Sequence, residues 1–144
     1  MVILGKHVFN IDAKNRIAIP SKFRDAFGNK CVLSKGLDNC LMLNTPTGFQ
    51  EYHTKMSNQL SENKKDSRFI MRQLFSNAVE LDIDSAGRIL IPSDLKQLAE
   101  IKKEVVIIGV GNRAELWSKE RFDRYEEDSE KNGTLEDLME KALD

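Results

Sequence analysis

A chain of 144 residues, 40% hydrophobic and 31% charged, carries enough apolar content to bury a core and too many charges to sit in a bilayer, which sets aside disorder and membrane embedding. Its two cysteines, Cys31 and Cys40, are too few for a disulfide framework and lack the companion ligands of a zinc site, so they read as small buried hydrophobes in a reducing compartment. A net charge of −1 offers nucleic acid no overall attraction, and any such partner must be met by local charge.

The N-terminus opens on Met1-Val2-Ile3-Leu4-Gly5, with no basic stretch, long apolar segment or small-residue cleavage site, and no later run approaches a membrane span; a cytoplasmic protein is expected. His7, Phe9 and Ile11 then alternate with Val8 and Asn10, and Ile17 and Ile19 with Arg16 and Ala18. A period of two predicts strands with one buried face, here two strands joined by a hairpin connection. Pro20 stops the second strand, and Ser21 is the expected N-cap of a short helix from Lys22 to Phe27, with Gly28 as its stop. Cys31-Val32-Leu33 and Cys40-Leu41-Met42-Leu43 predict two more strands around a glycine-containing turn.

Phe49, Tyr52, His53, Met56 and Leu60 follow at helical spacing. Beyond a polar loop at Ser61-Glu62-Asn63-Lys64-Lys65, Asp66 or Ser67 is expected to cap a second helix carrying Phe69, Ile70, Gln73 and Leu74. His53 on that stripe reads as a packed or half-exposed side chain rather than a ligand.

From Val79 the chain repeats itself. Val79, Leu81 and Ile83 alternate as in the first strand, and Asp84-Ser85-Ala86-Gly87-Arg88-Ile89-Leu90-Ile91-Pro92-Ser93 restates Asp12-Ala13-Lys14-Asn15-Arg16-Ile17-Ala18-Ile19-Pro20-Ser21 at an offset of 72 residues. Asn15 and Gly87 share one slot, and both residue types tolerate a left-handed backbone. Ser93 is again an expected N-cap, for a helix from Asp94 to Ala99, before strands at Val105-Val106-Ile107-Ile108 and Glu115-Leu116-Trp117. Trp117 and the aromatics of the helical stripe read as core residues, with an oligomer interface as the alternative. After Trp117 one helix carries Phe122 and Tyr125, and Leu135, Leu138, Met139 and Leu143 trace an amphipathic last helix.

Neither half can bury two sheet faces alone. The expected fold is therefore α+β, with two intertwined strand-hairpin-helix-strand repeats forming one closed β-barrel, a helical insertion and a helical C-terminal tail. The expected divisions are residues 1–46 for the first repeat, 47–77 for the insertion, 78–118 for the second repeat and 119–144 for the tail. Charge is polarised along this plan. Residues 1–35 hold seven basic side chains against Asp12 and Asp25, whereas residues 119–144 hold five basic against ten acidic.

A duplicated Asp invites comparison with a proton-sharing carboxylate dyad, but each Asp has an Arg four positions on whose charge would hold it ionised, and the flanking Ala13-Lys14 and Ser85-Ala86 are not a protease cradle. No nucleophile-base order, phosphate-binding glycine loop or metal-ligand spacing occurs elsewhere, so no enzyme activity, cofactor or metal is expected. Two readings of the repeat stay open. Asp12 and Asp84 can pin the turns, and Arg16 and Arg88 can pair with them; or the arginines, whose rigid forks suit phosphate and guanine edges, can face a duplex.

The pattern Asp-x-x-x-Arg-x-x-Ile-Pro, present twice through Asp12 to Arg16 and Asp84 to Arg88, resembles the MraZ family, single-chain doubles of the AbrB/SpoVT swapped-hairpin DNA-binding fold. The resemblance covers almost the whole chain, with two departures: Asn15 stands where the family usually has Gly, and Ile3-Leu4-Gly5 where it tends to have an aromatic before Gly. It implies a bacterial transcription factor of the division and cell-wall gene cluster, nucleoid-associated, binding short direct repeats of double-stranded DNA in its own promoter and assembling into a ring-shaped homo-oligomer. By motif position it implies Lys14, Asn15 and Arg16, and Ser85, Gly87 and Arg88, as DNA-facing. Charge clustering adds Lys22 and Arg24. The alternatives are an AbrB-like scaffold or an antitoxin-type protein acting mainly through protein partners.

Overall fold

The computed structural model describes residues 2–144. The first half runs β1 (Ile3–Asn10), β2 (Arg16–Ala18), α1 (Ser21–Phe27), β3 (Lys30–Lys35) and β4 (Leu41–Asn44), followed by the insertion helices α2 (Pro46–Gln59) and α3 (Lys65–Phe75). The second half repeats the order as β5 (Val79–Asp82), β6 (Arg88–Leu90), α4 (Ser93–Leu98), β7 (Glu104–Gly111) and β8 (Ala114–Ser118), and ends in α5 (Lys119–Glu130) and α6 (Leu135–Leu143). No helix among the described residues is long and apolar enough to cross a membrane.

The halves interlock because each lends its first strand to the other. A six-stranded antiparallel sheet runs β1-β7-β8-β4-β3-β5, so β1 of the first half lies on β7 of the second and β5 of the second on β3 of the first. The hairpin strands β2 and β6 pair separately as a two-stranded ribbon. The closed barrel expected from the repeat is therefore not drawn as one hydrogen-bonded ring: β1 and β5 remain open edges. The reason is local. Ile11 N–H still donates to Lys103 O at 2.8 Å beyond the β1–β7 ladder, the next residues are spent on the turn, and three-residue β2 is taken up by β6.

Alternation decides which side chains are inside. Ile11, Ile17, Ile19, Phe23 and Phe27 of the first half and Ile89, Ile91, Leu95, Val105 and Ile107 of the second share one buried cluster, each aliphatic burial contributing roughly 1.5–3 kcal/mol. The outer faces of the sheet are covered unequally. Helices α2 and α3 lie on β3 and β4, whose residues are buried on both sides, and α5 lies on β7 and β8. Under α5 a second cluster forms from Cys40, Val106, Trp117 and Phe122, and the Trp117 indole donates to Glu115 Oε1 at 3.1 Å. Cys31 and Cys40 are free and buried, and burial pushes both thiols up to about 12, which keeps them protonated and inert. The outer face of β1, with Leu4 and Val8, stays exposed.

Helix starts differ from the sequence expectation in three places. Ser21 and Ser93 are not N-caps but the first helical residues. Pro20 and Pro92 occupy the cap position with extended backbone, and no side chain caps either helix. The rigid proline φ forces this by letting the helix begin immediately after it. At α3, Lys64 holds the cap position without a side-chain bond, and Ser67 Oγ instead accepts from Ser61 N at 3.2 Å, closing the α2–α3 elbow. Thr45, Ser118 and Thr134 do cap α2, α5 and α6, the last in a reciprocal capping box with Asp137.

Candidate nucleic-acid interface

The two turns are built the same way. In the first, Asp12 Oδ1 accepts from the N–H groups of Lys14 and Arg16, both at 2.9 Å, and Asp12 N–H donates to Arg16 O at 2.9 Å. In the second, Asp84 Oδ1 accepts from Ala86 and Arg88 N–H, again at 2.9 Å, and Asp84 N–H donates to Arg88 O. An Asp at the first position can thread its carboxylate through the turn in this way, as Asn could and Ala could not. The loop then reverses through a left-handed residue, Asn15 at φ 63° and Gly87 at φ 77°.

Donated amide protons also settle the ionisation of the turn acids. The N–H of Arg16, then that of Lys14 and the charges of Arg16 and Arg88, outweigh partial desolvation and hold Asp12 below its ordinary 3.8. Asp84 is lowered likewise, first by Arg88 N–H, then by Ala86 N–H and the Arg88 charge and side chain. A carboxylate held ionised is a turn support and not a proton donor. Among the described residues, no group of three or more His, Cys, Asp or Glu could hold a metal ion.

The ribbon joining the turns has a local twofold arrangement. Ile17 faces its own repeat equivalent Ile89, and Arg16 pairs with Leu90 as Ala18 does with Arg88. Two further bonds extend the symmetry: Ile19 N–H donates to Gly87 O and Ile91 N–H to Asn15 O, both at 2.8 Å. Since Ile17 and Ile89 point into the core, alternation turns Arg16, Ala18, Arg88 and Leu90 onto the opposite face, where Leu90 is 52% exposed. The outer face of the ribbon is thus a diagonal pair of arginines with apolar side chains between them.

The arginines differ in their partners. Arg88 Nε donates to Asp84 Oδ2 at 3.2 Å, and Arg88 NH1 lies 4.0 Å from Asp12 Oδ2 in the other hairpin. No carboxylate among the described residues comes within 4 Å of the Arg16 guanidinium. Lys14 and Ser85 are exposed in the turns, and Lys22 is exposed on the first turn of α1.

Three residues expected to face DNA make contacts within the protein. Arg24 of α1 donates from Nε to Ile19 O at 2.9 Å, and its guanidinium covers Gly87 so closely that a Cβ there would lie 2.2 Å from Arg24 Cζ. Gly87 is buried beneath it. Asn15 accepts through Oδ1 from Lys96 Nζ of α4 at 2.8 Å. Lys96 and the outward Leu90 are the residues that sequence reading missed. The signal for Lys96 was available in the repeat, because it stands 72 positions after Arg24.

Known proteins share this arrangement of sequence along nearly the whole chain. A family model described as "MraZ protein, putative antitoxin-like" matches twice, over residues 2–73 and 74–143. A protein of Desulforamulus reducens named transcriptional regulator MraZ is 38% identical over 143 residues, 99% of each chain. Proteins of the same name from Mycoplasmoides gallisepticum and Pediococcus pentosaceus are 44% identical over 126 residues, 88% of each chain, and 39% identical over 143 residues, 99% of this chain and 98% of the other.

Proposed function

The chain belongs to the MraZ family, and on that footing we propose that it is a sequence-specific DNA-binding transcriptional regulator that reads double-stranded DNA with the outer face of its paired hairpins. The observation that carries this reading is the cross-half ribbon with Arg16 on its outer face and no carboxylate among the described residues within 4 Å of its guanidinium. A two-stranded ribbon fits a major groove, a guanidinium fork matches the O6 and N7 acceptors of guanine, and Leu90 and Ala18 offer apolar contact to thymine methyls. Lys14 and Lys22 neutralise phosphate beside it, and Ser85 donates from the second turn. Asn15, Gly87 and Arg24 support the hairpins from behind.

The target in this reading is a set of short direct repeats in the promoter of the chain's own gene, within a division and cell-wall cluster, and the protein is cytoplasmic and nucleoid-associated. Each ribbon contributes modest affinity, and a ring of several copies engages several repeats at once. Support for self-association comes from α6, whose Leu135, Met139 and Leu143 are exposed along an acidic helix, and from Phe69 and Ile70, exposed on α3 among Lys65, Arg68 and Arg72. Opposite charges around two unpaired apolar faces suit contact between neighbouring copies.

Fluorescence anisotropy with the upstream repeats tests the reading. Specific affinity should fall steeply between 50 and 200 mM salt, and a duplex with several repeats should bind far more tightly than one with a single repeat. No preference for the repeats over scrambled duplex at any salt would leave a scaffold acting through protein partners as the better account.

A further inference from the structure

Each short helix reaches past its own hairpin to the turn of the other half. Arg24 on α1 lies over Gly87, and Lys96 on α4 binds Asn15. The two helix positions are repeat equivalents, as are the two turn positions, so the contacts are one crossed device made twice with different chemistry. A guanidinium can cover a residue that has no side chain, whereas a compact ammonium needs an acceptor to meet it, and Asn15 Oδ1 supplies one. The pairings are mutually exclusive. A side chain at residue 87 would drive Arg24 off and break its bond to Ile19 O, while Gly at residue 15 would leave Lys96 without its acceptor.

We propose that Arg24 and Lys96 are positioning residues for the DNA-reading ribbon, each setting the turn of the opposite hairpin, and that Asn15 and Gly87 are matched to them as partners. The asymmetry between an Asn turn and a Gly turn then has a cause outside the turns, in the helix residue that covers each. Arg24 acts on hairpin geometry through Ile19 O and the Gly87 backbone rather than by touching phosphate. Because Ile19 N–H is bonded to Gly87 O and Ile91 N–H to Asn15 O, each clamp also bears on the bonds that join the two hairpins.

The DNA half of this inference rests on the regulator reading above; the clamp does not, and the experiment separates them. Without DNA, amide hydrogen exchange reports the clamps directly. Arg24→Met, which keeps the aliphatic stem, should speed exchange at Ile19 by about tenfold, and Lys96→Met should do so at Ile91, the worth of roughly one hydrogen bond to a charged group. Unchanged exchange at these amides overturns the proposal whatever DNA does. With the promoter duplex, Arg24→Met should weaken binding about tenfold while the slope of log affinity against log salt stays that of the parent. A slope shallower by roughly 0.9 means that Arg24 neutralises a phosphate, which overturns its positioning role. The decisive variant is a rescue. Gly87→Asn should impair both exchange protection and binding, and the double substitution Arg24→Lys with Gly87→Asn, which rebuilds the Lys–Asn pairing of the other half, should restore both to within about threefold. A double variant no better than Gly87→Asn alone overturns the matched-pair claim. If the parent binds no specific DNA, the regulator reading fails, and exchange at Ile19 and Ile91 still decides the clamp.

Discussion

The two hairpins have the same backbone and different electrostatics. Both are threaded by an Asp accepting two amide protons at 2.9 Å, both reverse at a left-handed residue, and both donate a strand to the same ribbon. Yet Arg88 stands between two carboxylates, Asp84 and Asp12, while no carboxylate among the described residues comes within 4 Å of the Arg16 guanidinium. The second oxygen of Asp12, Oδ2, lies 4.0 Å from Arg88 NH1 of the other hairpin. Duplication has thus kept the shape and divided the charge. One arginine is held in place, and the other is available to a ligand without first giving up an ion pair.

Shape equivalence can be broken by stability measurements. Ile17→Ala and Ile89→Ala each remove a buried side chain from the centre of the ribbon, and each should cost about 2–5 kcal/mol by denaturant unfolding, equally for both. A large difference between the two would show that the symmetry of the fold does not extend to its energetics. Charge inequality is sharpened by binding. Arg16→Ala should lose about 1–3 kcal/mol of discrimination for the repeat, the worth of a bidentate base contact, and Arg88→Ala less, in a band-shift at fixed salt. Lys30→Ala is the control, because Lys30 is already paired with Asp82 and Glu80 on β5. Equal, small losses for all three, with the fold intact, would remove the arginines from the interface.

The smallest effect is the dependence on acid. Asp12 and Asp84 both titrate lower in the folded chain than in the unfolded one, so their stabilisation is complete above the unfolded value of 3.8 and disappears as pH falls through the lower folded values. Thermal melts should therefore be flat from neutral pH to about 5 and decline below about 4. Asp12→Asn and Asp84→Asn should each flatten part of that decline. Asp12 should contribute through both hairpins, since Arg88 as well as Arg16 depresses it.

Much of this was written in the sequence because it is local or periodic. The left-handed slot at Asn15 and Gly87, the stop at Gly28 and the buried alternation of Ile17, Ile19, Ile89 and Ile91 all follow from residue type and spacing. What escaped is what requires the partner across the molecule. Arg24 sits in a basic cluster of the linear chain, with Lys14 and Lys22, and nothing in that cluster marks its contacts within the protein. Its side chain is spent on Ile19 O and on a glycine 63 positions away, which only the exchange of strands brings beneath it. Neighbouring lysines make the two hairpins unequal in the linear sequence, and the fold adds a second difference, the approach of the Asp12 carboxylate to Arg88. The serines after Pro20 and Pro92 misled for another reason: proline compresses the helix start by one residue and moves the cap position onto itself.

The exchange of strands also sets a timetable for synthesis. As the chain leaves the ribosome, β2 emerges about seventy residues before β6, and β1 about a hundred before β7, so the N-terminal strands wait with their edges bare. Contacts so distant in sequence close slowly, and unpaired edges invite pairing with other chains. The two-stranded ribbon cannot form on a half-made protein, because it needs a strand from each half of the chain. A chain truncated anywhere before Arg88 would carry the first Asp-x-x-x-Arg sequence intact and still have no partner strand for β2.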